Sequence, residues 1–225
     1  AMMHNDNAVF GRGGWWDDDG EYKMLHAINP LRLRALGDIT GGIGGKQLAD
    51  VGCGGGIFAE AAAKAGAMVT AVDTNAAAVD DAKQHCQTTA NYRAANAAEL
   101  PRGHYDIAVC FEVLEHCDSP AALVGDVAAL VKPGGWVAFS TINRTKRAAF
   151  VMIDLLEKTL SAMPRGAHNA SRFIKPDELA RYCNDAGLTV RAVKGLRYSF
   201  FGKHFYLDDS RFGINYFLFA RRENS

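Results

Sequence analysis

Two carboxylates and a histidine lie within five positions of one another near the middle of the chain. Glu112, Glu115 and His116 directly follow an apolar run at residues 107–111. Such a run predicts a buried strand, and the carboxyl end of a strand is where an open α/β sheet places its ligands. Carboxylates suit Mg²⁺, while the histidine leaves Mg²⁺, Mn²⁺ and Zn²⁺ all open. The other interpretation is a Glu–His pair that only orients its loop and caps the next helix.

A glycine-rich loop comes earlier, where Asp50 precedes glycines at positions 52, 54, 55 and 56. Glycines between a strand and a helix let the backbone turn tightly and approach a ligand closely. The dinucleotide pattern G-x-G-x-x-G, started at Gly52, needs a glycine at position 57, where Ile57 stands. Asp73 ends the next apolar run, and an acid there accepts hydrogen bonds from ribose hydroxyls. The alternative is a structural turn with a solvated Asp73.

The elements that must position these residues follow a regular alternation from about residue 47 onward. Short apolar runs alternate with helical stretches, which predicts a parallel sheet with helices on both faces. The predicted strands are residues 47–51, 68–73, 91–95, 107–111 and 136–142, and the predicted helices are residues 57–65, 76–88, 120–130 and 177–186. Two closely spaced late strands, residues 188–196 and 214–221, predict an antiparallel pair at one sheet edge.

The composition limits the classes of function. Of the 225 residues 48% are hydrophobic and 22% charged, a normal globular balance that favours one domain over residues 1–225. Lys plus Arg equals Asp plus Glu at 25 each, so no broad basic footprint for nucleic acid is expected. Five cysteines without a Cys-x-x-Cys pair favour free thiols in a reducing cytosol. No apolar run reaches the roughly 18 residues of a membrane span, and the expected location is the cytoplasm.

Two segments lie outside the alternation, and both are expected to cover the site. Residues 5–45 contain Trp15 and Trp16 followed by three aspartates, and we expect an N-terminal helical cap whose tryptophans close over cofactor or substrate, or simply pack. Residues 144–175 combine apolar and basic side chains and predict a helical lid. This pattern resembles an interfacial helix at a membrane surface; a lid buried on the domain's own core or a dimer contact is the alternative.

The glycine loop, Asp73 and the strand order resemble the class I S-adenosylmethionine-dependent methyltransferases. This resemblance covers about residues 47–142 and implies a three-layer Rossmann-like fold with a seven-stranded sheet whose last strand is antiparallel. It implies that Asp50, Gly52 and Gly54 lie at the cofactor and that Asp73 binds the ribose. Asn96 occupies the place of the acid that usually meets the adenine amino group, and its carbonyl can accept the same hydrogen bond.

Further stretches resemble a narrower family, the ubiquinone-biosynthesis O-methyltransferases. The most specific are Ile-Asn-Pro-Leu-Arg at residues 28–32 and Phe-Ile-Lys-Pro at residues 173–176, which lie in the two segments that the generic fold does not explain. The match spans nearly the whole chain. Its other stretches are residues 15–17, 20–21, 25–26, 50–56, 112–116, 130–135, 140–144 and 213–216.

This narrower resemblance implies methylation of a catechol-type or hydroxyphenol oxygen on a ring with a polyprenyl tail. It implies cofactor positions at Arg32, Gly52, Asp73 and Phe111, although a methionine is common where Phe111 stands. It also implies that a divalent cation is held by the carboxylate and histidine triad, Glu112, Glu115 and His116. The substrate would live in the bilayer, so the enzyme could lie peripherally on the inner face of the membrane.

Methyl transfer to a phenol requires an in-line displacement with oxygen, methyl and sulfur aligned at about 3 Å. A phenol has a pKa near 10, as in tyrosine, and a bound cation would lower that pKa. Without a cation, His116 or His168 could serve as the base. The competing functions are a nicotinamide-dependent dehydrogenase, which Ile57 disfavours, a methyltransferase for another small phenol, and a binding module without turnover.

Overall fold

The structure is a computed structural model and describes residues 14–17, 20–149, 169–199, 201–202 and 204–224. Their strands are β1 Gln47–Val51, β2 Met68–Asp73, β3 Asn91–Ala94, β4 Tyr105–Phe111, β5 Val131–Ile142, β6 Leu188–Ser199, β7 His204–Asp208 and β8 Asn215–Arg222. Their helices are α1 Lys23–Thr40, α2 Ile57–Lys64, α3 Ala76–His85, α4 Pro120–Leu130, α5 Lys146–Ala149 and α6 Pro176–Asp185. The predicted alternation of strands and helices is confirmed.

The strands form one mixed sheet in the order β3-β2-β1-β4-β5-β8-β6-β7. Strands β1 to β5 pair in parallel, whereas β8 pairs antiparallel with both β5 and β6. The late antiparallel pair of β6 and β8 is therefore confirmed, but it does not lie at the edge, because β7 pairs with the outer side of β6. The edge strand is β7, which makes the sheet eight-stranded within the described residues rather than seven-stranded.

The largest difference between a predicted and an observed boundary is at the start of β5. Strand β5 begins at Val131 rather than at residue 136, although the Lys-Pro-Gly-Gly stretch at 132–135 reads as a stop signal. The register between β4 and β5 shifts between Tyr105 and Ile107, so the chain accommodates the stretch as an irregularity at the start of the strand. The site lies at the other end of β5, and the difference does not move it.

Alternate residues of the central strands face two separate layers of helices. Leu48 of β1 and Ile107 of β4 face the apolar cluster that contains residues of α1, α2 and α3. Ala49 and Ala108, one position later in each strand, face the cluster that contains residues of α4 and α6. All four are fully buried. Because side chains alternate along a strand, a sheet buried on both faces gives the three-layer arrangement that the sequence predicts.

The topology creates a crevice at the carboxyl ends of β1 and β4. The chain proceeds outward from β1 to β2 and β3, and then returns to place β4 on the other side of β1. Such a reversal separates the loops after the two strands and opens the space in which α/β sheets bind ligands. The glycine loop follows β1 and Glu112 follows β4, so both predicted sites lie at this crevice.

The two segments outside the alternation are described to different extents. Helix α1 forms the N-terminal cap, with Pro30 inside it and Gly41 as a left-handed residue after its last turn. Of the predicted lid at residues 144–175, positions 150–168 lie outside the described residues. Its described ends are α5 and a short 3₁₀ turn at Ala170–Arg172. No helix within the described ranges is long and apolar enough to cross a membrane.

Candidate active site

The glycine loop requires glycine for reasons that the structure makes explicit. Gly52 has φ +77, and a Cβ there would lie 2.3 Å from Cγ2 of Val113. The N–H groups of Gly52 and Cys53 donate to the carbonyl of Val72, at 2.8 and 3.0 Å. These bonds hold the loop against the end of β2, and the clash explains why no side chain fits at its first glycine.

Asp73 ties the glycine loop to the end of β2. Its Oδ2 accepts the N–H of Gly54 at 2.8 Å, and its Oδ1 accepts the N–H of Asn75 at 2.8 Å. Burial raises the pKa of Asp73, while these backbone bonds partly oppose the rise. The carboxylate lies beside the loop as a ribose-binding acid must, and its contact with a ribose stays a prediction.

Trp15 and Trp16 pack directly on the glycine loop. Nε1 of Trp16 donates to the carbonyl of Gly55 at 2.8 Å, and a Cβ on Gly55 would lie 2.2 Å from Cγ of Trp15. Trp15 also stacks on Tyr22, with ring centroids 3.9 Å apart. The expected closing of the tryptophans over the site therefore takes the form of packing between the cap and the loop.

Arg32 reaches from α1 to the end of β4 and is the basic centre of the crevice. It is 4% exposed; its Nη2 lies 3.3 Å from Oε1 of Glu112, and its guanidinium lies 5.3 Å from the centroid of the Phe111 ring. Asp50, at the end of β1, is also buried, and burial raises its pKa to about 7, opposed by the charge of Arg32. Oδ2 of Asp50 has no hydrogen-bond partner among the described residues, so it can accept a donor from a ligand.

Glu112 has an unusual backbone conformation, and both of its carboxylate oxygens accept hydrogen bonds. It has φ +57, alone among the described residues other than glycine in having a positive φ; such a conformation is typical of functional sites and costs roughly 1–3 kcal/mol. Ser140 donates to its Oε1 at 2.7 Å, and Asn215 donates to both oxygens, at 3.1 and 2.9 Å. Burial would raise the pKa of Glu112, but the charge of Arg32 and these hydrogen bonds hold it below its usual value.

Glu115 has the opposite electrostatic environment. It lies in the short 3₁₀ turn Leu114–His116 and is 3% exposed. Thr141 donates to its Oε2 at 2.7 Å. Its Oε1 accepts from no donor in the part of the chain that the structure describes, and the protonated carboxyl group can donate to Glu112. Burial, and then the charge of Glu112, raise the pKa of Glu115 to about 7. A buried carboxyl group with this pKa can exchange a proton near neutral pH.

The predicted metal triad does not assemble as a ligand set. No group of three or more His, Cys, Asp and Glu side chains within the described ranges could hold a metal ion. Both oxygens of Glu112 already accept hydrogen bonds, one of them from the cationic Arg32, and a second cation beside a guanidinium is unfavourable. These residues do not fit a resident divalent cation in this arrangement, and the predicted cation stays without structural support.

The remaining predicted site residues lie in three different surroundings. His116 is buried, and its carbonyl accepts from Nη1 of Arg172 at 3.3 Å. Asn96 is exposed and caps a 3₁₀ turn, with its Oδ1 accepting the N–H of Ala98 at 3.1 Å. His168 lies outside the described residues. The roles predicted for these three side chains stay predictions.

Three polar residues of the site did not appear among the predicted catalytic and cofactor residues. Ser140 and Thr141 are at the end of β5, and Asn215 is the first residue of β8; all three hold the oxygens of Glu112 or Glu115. The sequence signal was a polar residue at the end of an otherwise apolar strand. This signal indicates a site only once the pairing of β5 with β8 is known, because that pairing brings the three side chains together.

Comparisons with known proteins agree with this arrangement. A family model described as a methyltransferase domain matches residues 16–193. A ubiquinone biosynthesis O-methyltransferase of Bordetella avium is 42% identical over 214 residues, covering 92% of this chain and 88% of that protein. The protein of the same name from Thiobacillus denitrificans is 41% identical over 215 residues, covering 93% and 92%.

Solved structures resemble the fold at lower identity. Magnesium protoporphyrin IX methyltransferase from Synechocystis PCC 6803, with bound SAH, has a TM-score of 0.67 and 21% identity, covering 96% of this chain and 92% of that chain. A possible histamine N-methyltransferase from Thermotoga maritima has a TM-score of 0.71 and 14% identity, covering 96% and 99%. These likenesses confirm the predicted fold class. From the matches over most of its length, the chain belongs to the methyltransferase-domain family and, within it, to the ubiquinone biosynthesis O-methyltransferases.

Proposed function

We propose that this chain transfers the methyl group of S-adenosylmethionine to a ring hydroxyl of a polyprenylated hydroxyphenol or catechol in ubiquinone biosynthesis. The observation that carries the proposal is the carboxyl group of Glu115, which is buried in the turn that follows β4 and has one oxygen that accepts no hydrogen bond from the described residues. Relatives about 40% identical over most of the chain bear the corresponding name.

The residues around the glycine loop suit S-adenosylmethionine. The unpartnered Oδ2 of Asp50 supports a role as acceptor for the ammonium of the methionine part, and Asp73 is proposed to accept hydrogen bonds from the ribose hydroxyls. Arg32 lies between the carboxylates of Asp50 and Glu112, and it lowers the cost of burying both of them. Asn96 and Phe111 complete the proposed cofactor positions.

The proton of the acceptor hydroxyl is transferred to Glu115 in this proposal. When bound, S-adenosylmethionine supplies a sulfonium methyl that the phenol oxygen attacks in line, so that the carbon–sulfur bond breaks and its electron pair stays on sulfur. Oε1 of Glu115 accepts the hydroxyl proton as the new carbon–oxygen bond forms. Thr141 holds the other carboxyl oxygen and thereby fixes the direction of Oε1. His116 lies next to Glu115 and is the second candidate for this role.

The proposal is tested with labelled S-adenosylmethionine and a demethylated quinol that carries a short prenyl tail. Mass spectrometry of the extracted product is expected to show one labelled methyl group on oxygen. Glu115→Gln is expected to lower kcat by about 10²–10⁴, the range for a lost general base. The control is Asp185→Asn, a change at an exposed residue that ends α6. The absence of a labelled methylated product from every phenol tried would overturn the proposal.

The same assay tests whether a divalent cation is required and whether the methyl acceptor is a different phenol. Activity that survives an excess of chelator argues against Mg²⁺ or another cation at Glu112, Glu115 and His116, as the geometry leads us to expect. Equal activity on small phenols without a prenyl tail favours the alternative function, a methyltransferase for another small phenolic metabolite. Binding of S-adenosylmethionine without turnover on any phenol favours a binding module.

Contact with the membrane surface is proposed for residues 144–175. The support is the sequence, in which apolar residues at 150, 151, 155, 156 and 160 lie near basic ones, as in interfacial helices. We expect the protein to float with anionic liposomes and Phe150→Asp to weaken this flotation. A wild-type protein that stays at the bottom of the gradient with anionic liposomes overturns the membrane contact and leaves a lid on the domain's own core or a dimer contact as the role of this segment.

A further inference from the structure

Asn215 lies where the antiparallel strand β8 meets the active site. It is the first residue of β8 and pairs with Ile142, the last residue of β5. Because β8 runs opposite to the parallel strands, its beginning lies at their carboxyl ends, on the crevice side of the sheet. The residue is 7% exposed, so its side chain can make hydrogen bonds only to the protein or to a ligand bound in the crevice.

The orientation of the Asn215 carboxamide is fixed by Glu112. Nδ2 donates to both carboxylate oxygens of Glu112, at 3.1 and 2.9 Å. The flipped amide would place its oxygen against a carboxylate that is itself only an acceptor, because Arg32 and the surrounding donors keep Glu112 charged. The nitrogen therefore faces Glu112, and Oδ1, bonded to the same carbon, lies beside that carboxylate.

Oδ1 of Asn215 accepts no hydrogen bond from any of the described residues. A buried acceptor without a partner loses its hydration without compensation, so such an atom at a substrate site indicates a donor that arrives with the ligand. Oε1 of Glu115 is a second buried acceptor without a described partner. Glu112 is close to both residues, through its hydrogen bond with Asn215 and its electrostatic interaction with Glu115. The crevice thus presents two unsatisfied acceptors around one fixed carboxylate.

A ring with two adjacent hydroxyl groups offers two donors, one for each of these acceptors. We propose that Asn215 is a specificity-determining residue that accepts a hydrogen bond from the hydroxyl next to the one being methylated, so that the site selects ortho-dihydroxy rings over monohydroxyphenols. The inference rests on the proposed function and deepens it. Oε1 of Glu115 takes the reacting hydroxyl, Oδ1 of Asn215 takes its neighbour, and the two contacts together fix which ring oxygen faces the methyl group.

Selectivity of this kind follows from the cost of an unpaired acceptor. A site built to bind a hydroxyl rejects the analogue without it, because the polar group of the protein is then left buried and unpaired. For a neutral hydrogen bond this discrimination is about 3- to 10-fold in kcat/KM. Removing Oδ1 of Asn215 removes the preference for the dihydroxy ring. Removing a different donor to Glu112 lowers kcat/KM for both substrates alike.

The experiment compares two acceptors with the same prenyl tail, one a catechol and the other the phenol that lacks the second hydroxyl. Wild type is expected to prefer the catechol in kcat/KM, and Asn215→Ala is expected to lower this preference by about 3- to 10-fold. Ser140→Ala is the matched control, because it removes another donor to Glu112 and leaves Oδ1 of Asn215 in place. Its preference for the catechol is expected to equal that of wild type.

A binding measurement keeps the inference testable if the variants lose turnover. Dissociation constants of the two ring compounds are measured in the presence of S-adenosylhomocysteine, with Asn215→Ser as the second variant should Asn215→Ala not fold. Equal loss of affinity for both compounds in the Asn215 variants, or an unchanged ratio of kcat/KM, overturns the inference while the proposed function stands. A wild-type enzyme that methylates neither acceptor overturns the proposed function and the inference together.

Discussion

The carboxyl group of Glu115 makes the stability of the fold depend on pH in a direction that can be measured. Burial and the neighbouring charge of Glu112 raise its pKa from 4.5 to about 7. The folded protein therefore binds more protons than the unfolded chain between these two values, and its free energy of unfolding falls as the pH rises through this interval. The contribution is fully present below pH 4.5 and is lost above pH 7.

The size of the effect follows from the shift. A change of about 2.5 pKa units corresponds to about 3 kcal/mol, which is a large part of the stability of a typical domain. Glu115→Gln removes the ionisation and can still accept the hydrogen bond of Thr141. The free energy of unfolding of the variant minus that of wild type is expected to rise from near zero at pH 4.5 to about 3 kcal/mol at pH 8.

Urea unfolding of both proteins at a series of pH values measures this difference directly. Asp185→Asn, at an exposed position, controls for the change of charge and is expected to show a difference that varies by less than about 0.5 kcal/mol over the same interval. A difference for Glu115→Gln that does not change with pH would refute the reasoning. It would mean that Glu115 titrates alike in the folded and unfolded chains.

Three further substitutions test the scaffold of the site. Arg32→Met leaves the buried carboxylate of Glu112 without its cation, and urea unfolding is expected to show a loss of about 3–5 kcal/mol. Gly52→Ala places a Cβ 2.3 Å from Val113 at φ +77; calorimetric titration is expected to show the loss of S-adenosylmethionine binding, with a destabilisation of about 1–3 kcal/mol. Trp16→Phe removes the hydrogen bond to the loop, and the dissociation constant for S-adenosylmethionine is expected to increase by about 3- to 10-fold.

The controls for the variants at Arg32 and Gly52 both lie in α1. Arg34→Met changes an exposed arginine of α1 and is expected to alter stability by less than about 0.5 kcal/mol. Gly37→Ala adds a Cβ that meets nothing within 4 Å, and it is expected to stabilise α1 by roughly 0.5–1 kcal/mol. Losses in these controls as large as those at Arg32 and Gly52 would show that α1 and the loop tolerate no change at all, and the assigned contacts would not be the cause.

Local patterns along the chain were sufficient to predict the fold as far as β4. Strands β1, β2 and β4 are short apolar runs, each followed by a turn and a helix, and parallel order follows from that alternation. The prediction was less complete where the pattern is broken by several glycines and a proline, at the start of β5. Strand β7 was not predicted, because it lies in a stretch rich in glycine and aromatic residues that resembles a turn.

The site was predictable residue by residue but not as an assembly. Asp73 and Glu112 follow apolar runs, so their places at strand ends could be read from the sequence. Asn215 lies 103 positions after Glu112, and the contact between them depends on the insertion of β8 beside β5. Periodicity carries no information on such a long-range register, and the resemblance pointed to the stretch at 213–216 without giving a role for its asparagine.

The two carboxyl groups of the crevice gain different roles from their surroundings alone. Glu112 is held by Arg32, Ser140 and Asn215, and these donors keep it charged. Its charge in turn raises the pKa of Glu115, whose hydrogen bond to Thr141 engages one oxygen and leaves the other to exchange a proton beside Glu112. Pairs of titratable groups with pKa values pushed apart are how active sites separate an electrostatic role from a proton-transfer role. The left-handed backbone of Glu112, costly in itself, is therefore what places a permanent negative charge beside the proton acceptor.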